Sequence, residues 1–198
     1  EATEAEEEVT DVVMVATGSD ALDSIFKKSE GPIETMATLR DEIRGVSTKL
    51  VESLGLTQGT PFKDALTDLQ TKAEGKINVS FAENKWPTFS AAEGCPENVK
   101  ASISTLNSSM VELTSAEDKL KDVGKQMGVV AEEAADLAAE PKNLGLSATQ
   151  APKAVLKSKK NIKALNMGVD VTKDLVKELG MLVSDVQSVF KASEEPAE

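Results

Sequence analysis

Along most of this chain apolar residues recur in alternating steps of three and four, the spacing of helices that bury one face. The clearest run is Val99, Ile103, Leu106, Met110, Leu113, Glu117, Leu120, Gly124, Met127, Ala131, Ala134 and Ala138. It crosses the stretch "TSAED" at 114–118 without a skip. Thr114 with Glu117, or Ser115 with Asp118, has the spacing of a capping box that would start a new helix there. Two separate helices would have no need to keep one register, so the pattern predicts a single helix over 97–140. At 1.5 Å per residue its length is on the order of 65 Å. Glu117 and Gly124 mark weak points on its seam.

A second long helix is predicted over 151–191, from Val155, Ser158, Ile162, Leu165, Val169, Thr172, Val176, Leu179, Val183, Val186 and Phe190. Leu156, Leu175 and Leu182 widen its apolar face beyond a narrow coiled-coil seam, which suits a bundle. They are also candidate outward contacts. "PKNLGLSATQAP" (141–152) turns the chain between the two helices, so they are expected to fold back as an antiparallel hairpin.

Three shorter helices precede this pair. The first is read over 3–28, with "TEAE" (Thr3 to Glu6) as a capping box, acidic residues complementing the positive end of the dipole, and Val12, Val15, Leu22 and Phe26 on one face. "SEGP" (29–32) ends it. The second is read over 32–54, with Pro32 in its first turn and Gly55 as its C-terminal cap. The third is read over 60–83, with Phe62, Leu66, Leu69, Ala73, Ile77 and Phe81 as its stripe. "NKWPTFSAAEGCP" (84–96) is read as an irregular loop, and residues 192–198 as a frayed acidic tail. The expected fold is all-α, an elongated antiparallel four- to five-helix bundle forming one domain over 1–198, with shallow crossing angles near ~20°.

Composition narrows the function. The 198 residues carry a net charge of -12, which disfavours nucleic acid as a partner. Histidine is absent, which removes the commonest general base and metal ligand and every Ser/His or Cys/His nucleophile arrangement. Aromatics are 3% of the chain, too few to line a deep cofactor pocket. No enzyme activity, cofactor or metal is expected. Glu132, Glu133, Asp136 and Glu140 read as a solvated acidic face, because a di-metal bundle would add histidines. No run of about 18 apolar residues is present to span a membrane. The start at Glu1 rather than Met fits either a processed chain after removal of a targeting peptide (secreted or organelle-lumenal) or one part of a longer protein; a soluble protein is expected and its compartment is left open.

Against the acidic background, Lys142, Lys153, Lys157, Lys159, Lys160 and Lys163 lie between Pro141 and Val169 with no acid among them. This tract reads either as a contact surface for an acidic protein or anionic headgroup, or as one neutralised internally by the N-terminal acids or by the Glu132–Glu140 cluster. Trp86 and Phe89 sit beside Pro87 and could anchor a partner or plug the end of a bundle. Cys95, the one cysteine, is expected to be exposed in its loop, as a spectator or a reactive thiol. Asn78-Val79-Ser80 and Asn107-Ser108-Ser109 match the glycosylation sequon inside predicted helices.

The combined expectation is a non-enzymatic structural or accessory subunit that binds a protein partner through helical surfaces. In number of amphipathic helices and in composition the chain also resembles the exchangeable apolipophorins, without a shared motif. That resemblance implies the alternative, a lipid-binding bundle that touches a membrane peripherally.

Overall fold

A computed structural model describes residues 12–81 and 86–190. The described chain is mostly helical, with one small sheet. Its elements are α1 (Asp20–Lys27), α2 (Glu30–Ser53), α3 (Phe62–Lys72), β1 (Ile77–Phe81), β2 (Pro87–Ala91), α4 (Glu97–Glu112), α5 (Ala116–Ala139) and α6 (Ala151–Phe190). Short 3-10 turns stand at Leu113–Ser115 and Pro141–Leu144. The residues cluster into two compact units. Unit one takes in 12–38 and 120–174, and unit two takes in 39–119 and 175–190.

Unit one corrects the first predicted helix. Residues 12–17 have no helical structure, and α1 begins only at Asp20. Thr3 and the acidic run lie outside the described residues. Gly18 is left-handed (φ +86), a conformation that breaks any helix before it and that glycine adopts without steric cost. The turn is organised by Asp23, whose Oδ1 accepts from both the backbone N–H and the hydroxyl of Thr17 at 2.8 Å. Buried Ser19 donates its hydroxyl to the Leu144 carbonyl. Leu22 and Phe26 then fill the inner face of α1. Helix α2 starts at Glu30, two residues earlier than the spacing suggested, with Pro32 in its first turn where backbone donors lack intrahelical partners.

Within unit one, α5 and α6 run antiparallel. Gly124 faces Thr172 and Met127 faces Gly168. Glycine permits this closeness, because a Cβ on Gly124 would lie 2.6 Å from Thr172 Oγ1. The buried row on α6 is Ala151, Ala154, Ser158, Asn161, Leu165, Gly168 and Thr172. It keeps Ser158, Leu165 and Thr172 of the predicted stripe, while Ala154, Asn161 and Gly168 take the inward places expected for Val155, Ile162 and Val169, which are half-buried. Small side chains, rather than the bulkiest ones, face inward here.

Unit two holds the lower part of α2 (Leu39, Ile43, Val46, Leu50), α3 (Phe62, Ala65, Leu66, Leu69), α4 (Val99, Ile103, Leu106, Met110) and the end of α6 (Leu175, Leu179, Val186, Phe190). Left-handed Gly55 ends α2, and Lys72 Nζ donates to the Leu54 carbonyl beside it. Leu175 is 1% exposed and is core rather than an outward contact; Leu182 is half-buried.

The predicted helix over 60–83 is split. Helix α3 ends at Lys72, where Glu74 (φ +54) and Gly75 (φ +72) are both left-handed and Gly75 N–H closes onto the Gln70 carbonyl. Ile77 and Phe81, read as helical, belong instead to β1, which pairs antiparallel with β2 from Ile77↔Ala91 to Phe81↔Pro87. A step of four fits both periods. In a strand Ile77, Val79 and Phe81 share one face while Asn78 and Ser80 take the other, and the burial alternates accordingly. The expected irregular loop therefore contains a strand, with Pro87 as its first residue, the position a sheet tolerates. The described residues are thus mostly helical, as the all-α expectation has it in outline, with a small two-stranded sheet added.

The segment from 97 to 139 keeps right-handed helical geometry throughout, with a tighter turn at Leu113–Ser115 in place of a break. Three residues per turn there advance the seam from Met110 and Leu113 to Ala116 and Leu120, so Ala116 is buried where Glu117 was expected. The tight turn moves a carboxylate off the seam.

Candidate functional site

The most distinctive charged surface of unit one lies on the first turns of α6. Helix α6 starts at Ala151 with no acidic residue in its first turn. Lys153, Lys157, Lys159, Lys160 and Lys163 are all exposed, and so is Lys142 in the preceding 3-10 turn. With 3.6 residues per turn, the five lysines of the helix and Leu156 fall within an arc of about 160°, opposite the buried row. Leu156 is 61% exposed, with Lys153 three residues before it and Lys159 and Lys160 three and four after.

Among the described residues none of these six lysines makes an ion pair or a side-chain hydrogen bond. Within the acidic cluster, Glu133 pairs with Lys28 at 2.6 Å, and Glu140 accepts from the Asn143 amide. The N-terminal acidic run lies outside the described residues. The arrangement costs local stability in two ways. Lys153 sits at the positive end of the helix dipole, and like charges are spaced three or four apart at 153/157, 157/160, 159/163 and 160/163. Each such contact is unfavourable by a few tenths of a kcal/mol. Among the described residues nothing offsets that local cost.

The other predicted site residues fall elsewhere. Trp86 and Phe89 are buried in unit two, and the Phe89 ring meets Phe190 edge-on. Cys95 is 6% exposed, behind a turn in which its N–H donates to the Ala92 carbonyl, so the expected exposed thiol is corrected to a buried one. Gly94 is left-handed (φ +75) and Pro96 caps α4, which together fold the thiol inward. Asn78 lies on the exposed face of β1. Asn107 is on α4 as expected, but its Oδ1 accepts the Phe89 N–H at 2.8 Å and so holds the hairpin against the helix.

Among the described residues no three acidic or cysteine side chains converge as metal ligands would. An open depression of about 270 Å³ lies beside Lys28 and Glu133, walled also by Asp122, Lys125 and Gln126. There Lys28 pairs with Glu133, and Asp122 accepts a hydrogen bond of 2.6 Å from the Gln126 amide. Among the described residues no helix is long and apolar enough to cross a membrane.

Sequence reading passed over one arrangement entirely. The carboxamide of Asn161, buried on α6, pairs with both backbone groups of Val15: Val15 N–H donates to Oδ1 at 2.9 Å, and Nδ2–H donates to the Val15 carbonyl at 2.8 Å. The available signal was a polar residue on the small-residue row of α6, one position before the stripe residue Ile162.

Protein-family models, curated proteins and solved structures were all compared with this chain, and none matched.

Proposed function

We propose that this protein is a non-enzymatic interaction component, a subunit or accessory factor of a larger assembly, that docks an acidic protein partner on the basic face of α6. The observation that carries the reading is the rank of exposed lysines without partners among the described residues, kept on a chain of net charge -12 where the helix dipole disfavours it. Such a face would raise the association rate with an acidic partner and confer strong salt dependence. The lack of histidine supports a role without catalysis.

The test is recovery of partners from native extract by the wild-type chain and by a chain carrying Lys157→Glu, Lys159→Glu and Lys160→Glu. Partner recovery should fall sharply with the triple change and in high salt. Unchanged recovery would remove the lysine face as the docking surface.

A second reading has its own support in Leu156, an exposed apolar residue ringed by lysines, the combination that anionic membrane surfaces attract. Each lysine near such a surface contributes about 1 kcal/mol, so the triple change would weaken binding by a hundredfold or more, on the order of 3 kcal/mol. Flotation with vesicles containing anionic lipid, compared with neutral vesicles, separates the two readings. Flotation only with anionic vesicles favours lipid; none favours protein.

A further inference from the structure

We propose that residues Val12 to Thr17 form an exchangeable strap, and that the groove beneath it in unit one accepts the same segment from a second copy of the chain. The strap is held through its backbone. Asn161 is 1% exposed, and its amide presents one acceptor and one donor to the main chain of Val15, as a neighbouring β-strand would. The Val15 side chain takes no part and is 42% exposed.

Two turns further along α6, Gly168 lets the strap lie close. A Cβ there would stand 2.9 Å from Val12 Cγ2. The two contacts agree in scale. Seven helical residues from Asn161 to Gly168 advance about 10.5 Å, and three extended residues from Val15 to Val12 span about 10 Å. The strap therefore runs along α6, in the opposite direction to the helix. A groove floored by glycine and a buried carboxamide fits an extended backbone.

The strap is lightly held. Val13 is 70% exposed, and Val12 and Met14 are only half-buried. Among the described residues its middle is held by the two Val15–Asn161 hydrogen bonds, which contribute about 0.5–1.5 kcal/mol each. Its C-terminal end, in contrast, is fixed by Asp23 to Thr17 and by the left-handed Gly18. A weak segment beyond a fixed hinge opens locally more readily than the rest of the fold. Once it opens, the Asn161 amide loses its partners, so the vacant groove favours another extended backbone. A second copy carries the one sequence already shown to fit, and exchange of an identical element needs no new interface. Tethering gives the chain's own strap an effective concentration of order mM, so exchange becomes visible when that strap is disabled.

The test uses two full-length variants bearing different mass tags. Val15→Pro removes the N–H that Asn161 accepts, disabling the strap and sparing the groove. Asn161→Ala disables the groove and spares the strap. Native mass spectrometry should show a 1:1 mixed complex that neither variant forms alone, lost when the Asn161→Ala chain also carries Val15→Pro. No mixed complex between chains that circular dichroism shows to be folded would overturn the proposal, as would equal yields with and without that extra change. If Asn161→Ala does not fold, Gly168→Val replaces it by filling the groove. As an independent reading, a peptide of residues 12–19 should bind the Val15→Pro chain at least about tenfold more tightly than wild type; equal affinities would overturn it as well.

Discussion

The ring of Phe89 on β2 meets the ring of Phe190 at the end of α6 edge-on, with centroids 5.6 Å apart and planes 73° apart. Residues a hundred positions apart thus close the core of unit two, in a chain where aromatics are 3% of the composition. Edge-to-face pairs contribute about 0.5–1.5 kcal/mol beyond their burial. Phe190→Ala should lower the unfolding free energy by about 3 kcal/mol, measured by urea denaturation. Phe190→Leu, which keeps most of the volume, should cost less than half as much.

Asn107 secures the same hairpin from the other side. Asn107→Ala leaves the Phe89 N–H without its acceptor, at a cost of about 1–2 kcal/mol. Amide hydrogen exchange should speed up at Phe89 and leave α5 unchanged. If Phe89 exchange is unaltered, the bond is not what holds β2 to α4.

Two glycines on α5, four residues apart, should respond with opposite signs. Gly124→Ala drives a methyl into Thr172 Oγ1 and should destabilise by about 1–3 kcal/mol, less the roughly 1 kcal/mol that alanine adds in helix propensity. Gly128 has open space where its Cβ would be, so Gly128→Ala should stabilise by about 0.5–1 kcal/mol. Thermal melts of the two variants decide the point.

Burial of Cys95 makes a kinetic prediction. A thiol 6% exposed should react with an aromatic disulfide reagent at least tenfold more slowly in the native chain than in urea, where unfolding removes the protection. Equal rates would mean that the loop around Gly94 opens freely.

Several elements were legible before any coordinates. Helix α6, the α4–α5 segment and the left-handed cap at Gly55 follow from periodicity and local chain chemistry. The hairpin was not, because Ala73, Ile77 and Phe81 are spaced by four, which satisfies a helix and a strand alike. The signal that arbitrates is Gly75 before "INVSF", a helix stop followed by strict alternation. The strap was misread for a similar reason. Val12 and Val15 extend the face of Leu22 and Phe26, yet Gly18 and the Asp23 turn interrupt the helix between them. On the candidate site, the lysine tract was visible as composition, while its lack of partners among the described residues required the fold.

The sequence alone determined the long helical stretches over 97–139 and 151–190, the cap at Gly55, and which charges gather on the first turns of α6, because these depend on interactions a few residues long. Tertiary structure decided which row of α6 faces inward, whether Cys95 and Trp86 meet solvent, and what Asn161 binds. Those outcomes depend on how closely two backbones approach, and glycine, alanine and serine set that distance through the volume they omit, which no count of apolar residues records.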